Sequence, residues 1–184
     1  MIKLQLAINA VKIHLKEEDL TKLKVGLNNK TMEHKFILLD QLHIPLLMLG
    51  EKSEEQVNDI SRLVETTIQM HHNFDLKLSG IWALPNQHEA RLLYVGVQNA
   101  KELRSLQSDL SKAFFNHSET EYYPNLPVVR LKNYRSVVDV ISPYKNRDFG
   151  KLKVDTLALY QIVSGGAYMT YKLLKTYRLG ELSF

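Results

Sequence analysis

The sequence predicts an α+β fold of two similar lobes, each an antiparallel sheet with flanking helices, around a central cleft. A short apolar segment at residues 43–50, HIPLLMLG, returns in similar form at residues 125–131, NLPVVRL. A strand, a helix and further strands follow in the same order in both halves of the chain. We therefore expect the lobes to meet about a pseudo-twofold axis, with the two similar segments facing each other across the cleft.

The two similar segments align without gaps, so that His43 matches Asn125 and Pro45 matches Pro127. Both are short and β-favouring, and residues two apart in a strand share a face. Each copy therefore places an imidazole or an amide beside a proline ring. Because proline cannot donate to a sheet ladder, we expect both strands to be edge-like or bulged at this point. The competing interpretation is a chance similarity between two buried strands.

The first quarter of the chain reads as a strand, a helix and a second strand. Residues 2–8 carry apolar side chains at every second position, which is typical of a half-buried strand. Residues 15–25 predict a helix with an acidic first turn, which suits a helix N-terminus, and Gly26 and Asn28-Asn29 end it. Residues 35–39 and the first similar segment follow as strands.

A second helix, a hairpin and a third helix are predicted next. Ser53 and Gln56 have the spacing of a capping box. Residues 74–84 and 92–97 read as the two strands of a hairpin, and residues 99–117 read as a helix. The helix after the capping box has one apolar stripe, which consists of Val57, Ile60, Val64, Ile68 and His71.

The chain closes on a predicted second hairpin. Residues 135–141 suit one or two helical turns, and residues 142–146 suit a loop. Residues 152–163 and 167–179 are predicted as the hairpin strands, joined by the glycine-bearing turn at residues 164–166. We expect one bilobal domain over residues 1–184.

Composition narrows the possible chemistry. The chain has no cysteine, which excludes a disulfide framework, a thiolate metal site and a cysteine nucleophile. No apolar run approaches the roughly 20 residues of a membrane span. The opening residues lack the apolar core and cleavage site of a signal peptide. We expect a soluble, cytoplasmic protein.

Positive charge concentrates around the second similar segment. Residues 122–153 hold seven basic and two acidic side chains, a surplus larger than the net charge of +4 for the whole chain. Interleaved basic and aromatic residues suit a surface that binds phosphates and stacks bases, although ordinary solvated lysines would give the same composition. The tyrosines of this segment are Tyr122, Tyr123, Tyr134 and Tyr144.

Five stretches together resemble the 2H phosphoesterases, specifically the 2'-5' RNA ligase / RNA 2',3'-cyclic phosphodiesterase family. They are IKLQLAIN, LHIPLLMLGEKSEEQV, YYPNLPVVRLK, FGKLKVDTLALYQ and YKLLKTYRLG. The resemblance spans nearly the whole chain and implies the same bilobal arrangement, with strands of the second lobe contributed partly by the chain ends. The family's two His-x-Ser/Thr motifs are degenerate here, because they read His-Ile-Pro and Asn-Leu-Pro.

The resemblance implies which functions the substitutions remove. In the family, one histidine activates water against a cyclic phosphate, the other protonates the departing ribose oxygen, and each hydroxyl donates to a phosphoryl oxygen. Only His43 can move a proton near pH 7, since the Asn125 amide does not titrate there and neither proline donates a hydrogen bond. We expect strongly impaired catalysis.

Seven residues form the candidate site on this resemblance. Arg130 matches the arginine of a His-x-Thr-x-x-Arg pattern and would bind phosphate, the alternative being a surface ion pair. For His43 we favour a hydrogen-bonded, semi-buried residue over a catalyst. The seven are His43 and Asn125 at the catalytic positions, Pro45 and Pro127 at the hydroxyl positions, and Arg130, Tyr122 and Tyr123 as substrate-binding residues.

We expect neither a metal nor a cofactor. The remaining histidines have no carboxylate or cysteine partner at ligand spacing, and no phosphate-binding glycine loop is present. These histidines are His14, His34, His71, His72, His88 and His117.

Three hypotheses of function follow. The preferred one is a catalytically impaired protein, a monomer, that binds a nucleotide or an RNA end with a cyclic or terminal phosphate. The second is an active phosphodiesterase on a 2',3'-cyclic phosphate or a 2'-5' linkage, with His43 as its base. The third is a scaffold whose cleft contacts a protein partner. None of the three involves a membrane.

Overall fold

The computed structural model describes residues 1–13, 15–117, 121–165 and 168–180. Two antiparallel sheets and several helices make up this part of the chain. The α-helices are Glu17–Asn29 (α1), Gln56–Ile68 (α2), Lys101–Phe115 (α3) and Val138–Ile141 (α4). The strands are Ile2–Asn9 (β1), His34–Phe36 (β2), His43–Lys52 (β3), Phe74–Leu84 (β4), Ala90–Gln98 (β5), Asn125–Arg135 (β6), Asp148–Val154 (β7), Thr156–Gly165 (β8) and Tyr168–Arg178 (β9).

Each of the two similar segments lies in a different sheet, as the sequence predicts. The four-stranded sheet has the order β3-β1-β8-β9, and the five-stranded sheet has the order β2-β6-β5-β4-β7. All pairings between these nine strands are antiparallel. The first segment opens β3, the second opens β6, and the two strands pack against each other where the sheets meet.

Both motif strands are bulged at the same aligned position. In β3, Pro45 pairs with Ala7 of β1, and the register shifts at the next residue, Leu46. In β6, Pro127 pairs with Tyr94 of β5, and the register shifts in the same way at Val128. A bulge interrupts the ladder locally, so a residue without an N–H is tolerated beside it. The expectation of edge-like or bulged strands is confirmed, and β3 is also a sheet edge.

The core lies between the sheets and their helices. On β1, one face is fully buried in the main core, as the predicted alternation requires. The helices α2 and α3 pack on each other and bury the predicted apolar stripes. The buried residues of these three elements include Leu4, Leu6, Ile8, Ile60, Val64, Ile68, Leu103, Leu106 and Leu110. Within the described ranges, no helix is long and apolar enough to cross a membrane.

The predicted strand over residues 152–163 is wrong in one respect. The chain breaks at Asp155 into β7, which pairs with β4, and β8, which pairs with β1. A single residue therefore carries the chain from the five-stranded to the four-stranded sheet. Strands β8 and β9 form the expected hairpin, although Gly166 and Ala167 in its turn lie outside the described residues.

The contribution of the chain ends also differs from the expectation. The C-terminal strands β8 and β9 complete the sheet of the first motif, and β1 lies in that sheet too. The sheet of the second motif instead takes the short strand β2 from the first half of the chain. The ends therefore build the His43 half of the molecule.

Three local boundaries differ from those predicted. Helix α1 begins at Glu17, two residues later than predicted, and runs through Gly26 to end at Asn29, one of the residues predicted to end it. The predicted loop at residues 142–146 begins with a 3₁₀ turn, Ser142–Tyr144. Strand β2 is shorter than predicted and leads into a second 3₁₀ turn, Leu39–Gln41, before β3.

Candidate functional site

His43 is buried at the start of β3 and is held in a fixed orientation. Only 5% of the residue is exposed. Its Nδ1–H donates a 2.7 Å hydrogen bond to the backbone carbonyl of Gln41, two residues earlier. A carbonyl oxygen can only accept, so Nδ1 carries the proton and, in the neutral ring, Nε2 carries the lone pair. The local fold thus selects the tautomer whose Nε2 can accept a proton.

Two tyrosines from the C-terminal hairpin surround the His43 ring. The ring of Tyr171 packs edge-on against it at 4.3 Å between centroids, and that of Tyr160 lies at 5.5 Å. Asn9, which pairs with His43 across the ladder, donates a 3.0 Å hydrogen bond from Nδ2 to the Tyr160 hydroxyl. Gln41 accepts a 2.8 Å hydrogen bond from the Tyr171 backbone N–H through Oε1. Gln41 therefore orients both His43 and one of its ring neighbours.

Asn125 repeats the hydrogen bond of His43 in the second motif. Its Nδ2 donates a 2.8 Å hydrogen bond to the backbone carbonyl of Tyr123, again two residues earlier. The amide nitrogen thus takes the place of Nδ1 of a histidine. What the amide lacks is a second nitrogen that can gain or lose a proton near neutral pH. Asn125 thus keeps the hydrogen bond that would orient a histidine here, but it lacks the nitrogen that would exchange a proton.

A hydrogen bond between Tyr122 and Pro45 connects the two sheets. The hydroxyl of Tyr122, in the segment before β6, donates a 2.7 Å hydrogen bond to the carbonyl of Pro45 in β3. Arg104 of α3 donates to the carbonyl of Tyr122. Tyr123 is largely exposed, and its carbonyl receives the Asn125 amide. Tyr122 thus holds the two motifs together, a structural role beside the substrate contact expected for it.

Arg130 is exposed on β6 and close enough to affect His43. Burial lowers the pKa of His43 below its ordinary value of 6.5, the hydrogen bond to Gln41 opposes this, and the positive charge of Arg130 lowers it further. Arg130 makes no ion pair with any residue of the described ranges. The surface ion pair proposed as its alternative role is therefore not formed with that part of the chain.

The lowered pKa of His43 predicts a pH-dependent stability. The unfolded chain takes up a proton at His43 near pH 6.5, whereas the folded protein does so only at lower pH. The stability contributed by neutral His43 is therefore complete above pH 6.5 and is lost as the pH falls through the folded pKa. In His43→Asn, which copies the amide of the second motif, we expect a smaller drop in the urea midpoint between pH 7.5 and pH 5.0.

The matched control for this measurement is His88→Asn, because His88 is exposed. The drop in the His88→Asn midpoint should equal that of the parent. Equal drops in the parent and in His43→Asn would contradict the assigned burial effect.

The basic segment at residues 122–153 does not form one continuous surface. Arg147 points away from the motifs and bonds the nearly buried carboxylate of Asp19 at 2.9 Å. Tyr144 is buried, and Lys132 pairs with Glu33. Strand β7, with its lysines, lies three strands from β6, about 14 Å away. Arg147 and Lys132 thus have ion-pair partners, and Arg130 is a basic residue whose charge reaches His43.

Three of the remaining histidines have hydrogen-bond partners for their side chains. His71, just after α2, bonds Asp109 of α3 at 3.0 Å, a contact that sequence spacing did not predict. His34 and His117 each bond the carbonyl two residues earlier. In the described ranges no three histidine, aspartate or glutamate side chains come together as a metal site. His14 lies outside those ranges.

Sequence reasoning missed several residues that lie beside the two motifs. Asn9, Tyr160 and Tyr171 meet His43 through strand pairings that join distant parts of the chain. Trp82 and Tyr94 lie on the facing sheet in register with Pro127. Alternation marks these side chains as facing one side of a strand, but nothing local shows which strand lies beside which.

The sequence is similar to those of known proteins over most of its length. An Archaeoglobus fulgidus RNA 2',3'-cyclic phosphodiesterase is 31% identical over 144 residues, 75% of this chain and 80% of its own. A Methanocaldococcus jannaschii protein of the same name is 31% identical over 133 residues, 69% and 74% of the two chains. No family model matches the chain.

Among solved structures, Escherichia coli LigT in its apo form superposes with a TM-score of 0.71 at 21% identity, covering 98% of both chains. LigT complexed with 3'-AMP superposes with a TM-score of 0.68 at 20% identity, covering 97% of both chains. At these identities the superposition establishes a common fold.

Proposed function

Because the chain belongs to the RNA 2',3'-cyclic phosphodiesterase family of the 2H phosphoesterases, we propose that its cleft binds a nucleotide or an RNA end but hydrolyses it poorly. The observation that carries the proposal is the amide of Asn125. It reproduces the hydrogen bond of His43 to the residue two before it, yet it cannot exchange a proton.

The catalytic deficit follows from the number of groups the reaction needs. Opening a cyclic phosphate with water takes one base to remove a proton from water and one acid to protonate the departing ribose oxygen. His43 supplies one titrating nitrogen, Nε2. Each general acid or base contributes about 10²- to 10⁴-fold, and each lost phosphoryl donor costs about 10²- to 10³-fold. With one acid–base group and both hydroxyls replaced, turnover falls below useful levels.

Retained binding is supported by a different set of groups. Arg130 presents a guanidinium at the cleft, where it can hold a phosphate through two N–H donors. LigT, which shares the fold, has been crystallised with 3'-AMP. The cleft that we propose for this chain would hold the phosphate of a similar ligand between β3 and β6. Binding thus depends on Arg130 and on the fold, and not on the missing histidine.

The decisive experiment measures hydrolysis of an RNA oligonucleotide ending in a 2',3'-cyclic phosphate. We expect the parent protein to be no faster than His43→Ala, because one histidine cannot act as base and acid in the same turnover. Calorimetric binding of 3'-AMP, measured on the same preparations, separates a folded binding protein from an inactive sample. Clear turnover that His43→Ala abolishes would refute the impairment.

One observation favours the second candidate, an active phosphodiesterase. The pKa of His43 is lowered and its tautomer is fixed. Its Nε2 can therefore accept a proton at neutral pH, as a general base requires. Such an enzyme needs its acid from a group other than Asn125. Turnover in the hydrolysis assay, with a rate that rises as His43 loses its proton, would identify this candidate.

A further inference from the structure

The five-stranded sheet carries an exposed aromatic face beside the second motif. Pro127 of β6 pairs with Tyr94 of β5, and Tyr94 pairs with Trp82 of β4, so the three share one face of the sheet. Along the same face, Arg130 pairs with Leu92. Tyr94 and Leu92 are half-buried, whereas Trp82 is 43% exposed. We call these five residues the Trp82 face.

The indole of Trp82 packs closely against two glycines. A Cβ added at Gly80 would lie 2.7 Å from Nε1, and one added at Gly96 would lie 2.8 Å from Nε1 and 2.9 Å from Cδ1. A side chain at position 80 or 96 would therefore collide with the indole, which lies over both glycines. Its Nε1–H points to the carbonyl of Ser79 at 3.4 Å. The pyrrole atoms of the ring therefore contact the sheet, while the residue as a whole remains 43% exposed.

The indole also lies next to the second motif. Gly96, which it covers, pairs directly with Asn125 on the neighbouring strand. Adjacent strands are about 5 Å apart, so the ring and the motif are one strand spacing from each other. Arg130 provides positive charge on the same face. A closely packed ring on the same face as a guanidinium suits a ligand with a negative group and a planar apolar group.

We propose that the exposed indole of Trp82 stacks a nucleobase of the ligand whose phosphate is bound at Arg130. This rests on the nucleotide binding proposed above and specifies how the base is held. Stacking on an aromatic side chain accepts any base, because every base has a π-face. The Trp82 face thus provides affinity for single-stranded RNA or mononucleotides without sequence readout, and the motif provides the phosphate contact.

The chain offers a direct spectroscopic test, because Trp82 is its only tryptophan. Titration with 3'-AMP should quench the tryptophan fluorescence of the parent protein, and titration with inorganic phosphate should not. Trp82→Leu should bind 3'-AMP about 5- to 150-fold more weakly by calorimetry, the range expected for one stacked base. Trp82→Phe should retain most of the affinity, and both variants should bind phosphate like the parent.

The matched control is Tyr134→Leu. Tyr134 is an exposed aromatic on the same sheet, but the guanidinium of Arg91 covers its ring at 5.1 Å. This variant should bind 3'-AMP like the parent.

The outcomes separate this inference from the proposed function. If 3'-AMP binds without quenching and Trp82→Leu binds as tightly as the parent, the base lies elsewhere and the inference is wrong, while nucleotide binding stands. If 3'-AMP does not bind the parent at all, both proposals fall. Should Trp82→Leu not fold, the quenching in the parent and the affinity of Trp82→Phe still decide the question.

Discussion

Asn125→His combined with Pro45→Thr and Pro127→Thr should give the protein cyclic phosphodiesterase activity at least about 100-fold above the parent. The change restores a second titrating group and two hydroxyl donors at the positions where the aligned motifs place them. The imidazole can make the hydrogen bond that the Asn125 amide now makes, since the carbonyl of Tyr123 already accepts a donor there. Both prolines lie beside bulges, so threonine enters an already interrupted ladder.

The controls for this restoration are two variants. Asn125→His alone should remain close to the parent, because both phosphoryl donors are still missing. Adding His43→Ala to the triple variant should abolish the gain. A triple variant that melts like the parent and shows no activity would mean that the cleft geometry has diverged along with its residues.

Arg130→Ala should weaken 3'-AMP binding about 10- to 100-fold at low salt, since a hydrogen bond to a charged group contributes about 1.5–3 kcal/mol. The parent should bind more weakly as salt is raised, and the variant should show a smaller salt dependence. Isothermal titration at 20 mM and 200 mM salt, values on either side of about 0.1 M, measures both effects.

Lys132→Ala is the matched control, because it removes the same charge from the same strand. Lys132 is exposed and already paired with Glu33. We expect its affinity for 3'-AMP to stay close to that of the parent. Equal losses in the two variants would show a diffuse electrostatic attraction instead of a phosphate contact at Arg130.

The aligned motifs were the most informative part of the sequence. Two prolines at equivalent positions predicted interrupted ladders, and the bulges at Leu46 and Val128 follow from the same chemistry. Helices with long apolar stripes were also predicted to within a few residues, because their burial pattern is local. The two-sheet fold follows from these elements.

Features that depend on distant pairings were not predictable in this way. Strands β7 and β8 are both alternating and apolar with only Asp155 between them, so their sequence does not reveal that they belong to different sheets. Tyr160 and Tyr171 meet His43 only because β8 pairs with β1. The count of basic residues also placed Arg147 on a phosphate-binding surface. It instead pairs with Asp19, which is 128 residues away in the chain.

The pairing of β1 with β8 makes the two halves of the site depend on contacts of very different sequence separation. All strands of the five-stranded sheet lie within residues 34–154, so the positions of Asn125, Arg130 and Trp82 in that sheet need no strand after residue 154. The other sheet must wait for β8 and β9, and until then β1 leaves one edge open and His43 lacks both neighbouring tyrosines. Long-range closure of this kind is slow, because the chain must first lose the entropy of a loop of about 150 residues. The basic, aromatic half of the site therefore depends on contacts nearer in sequence, whereas the histidine half depends on closing the whole chain.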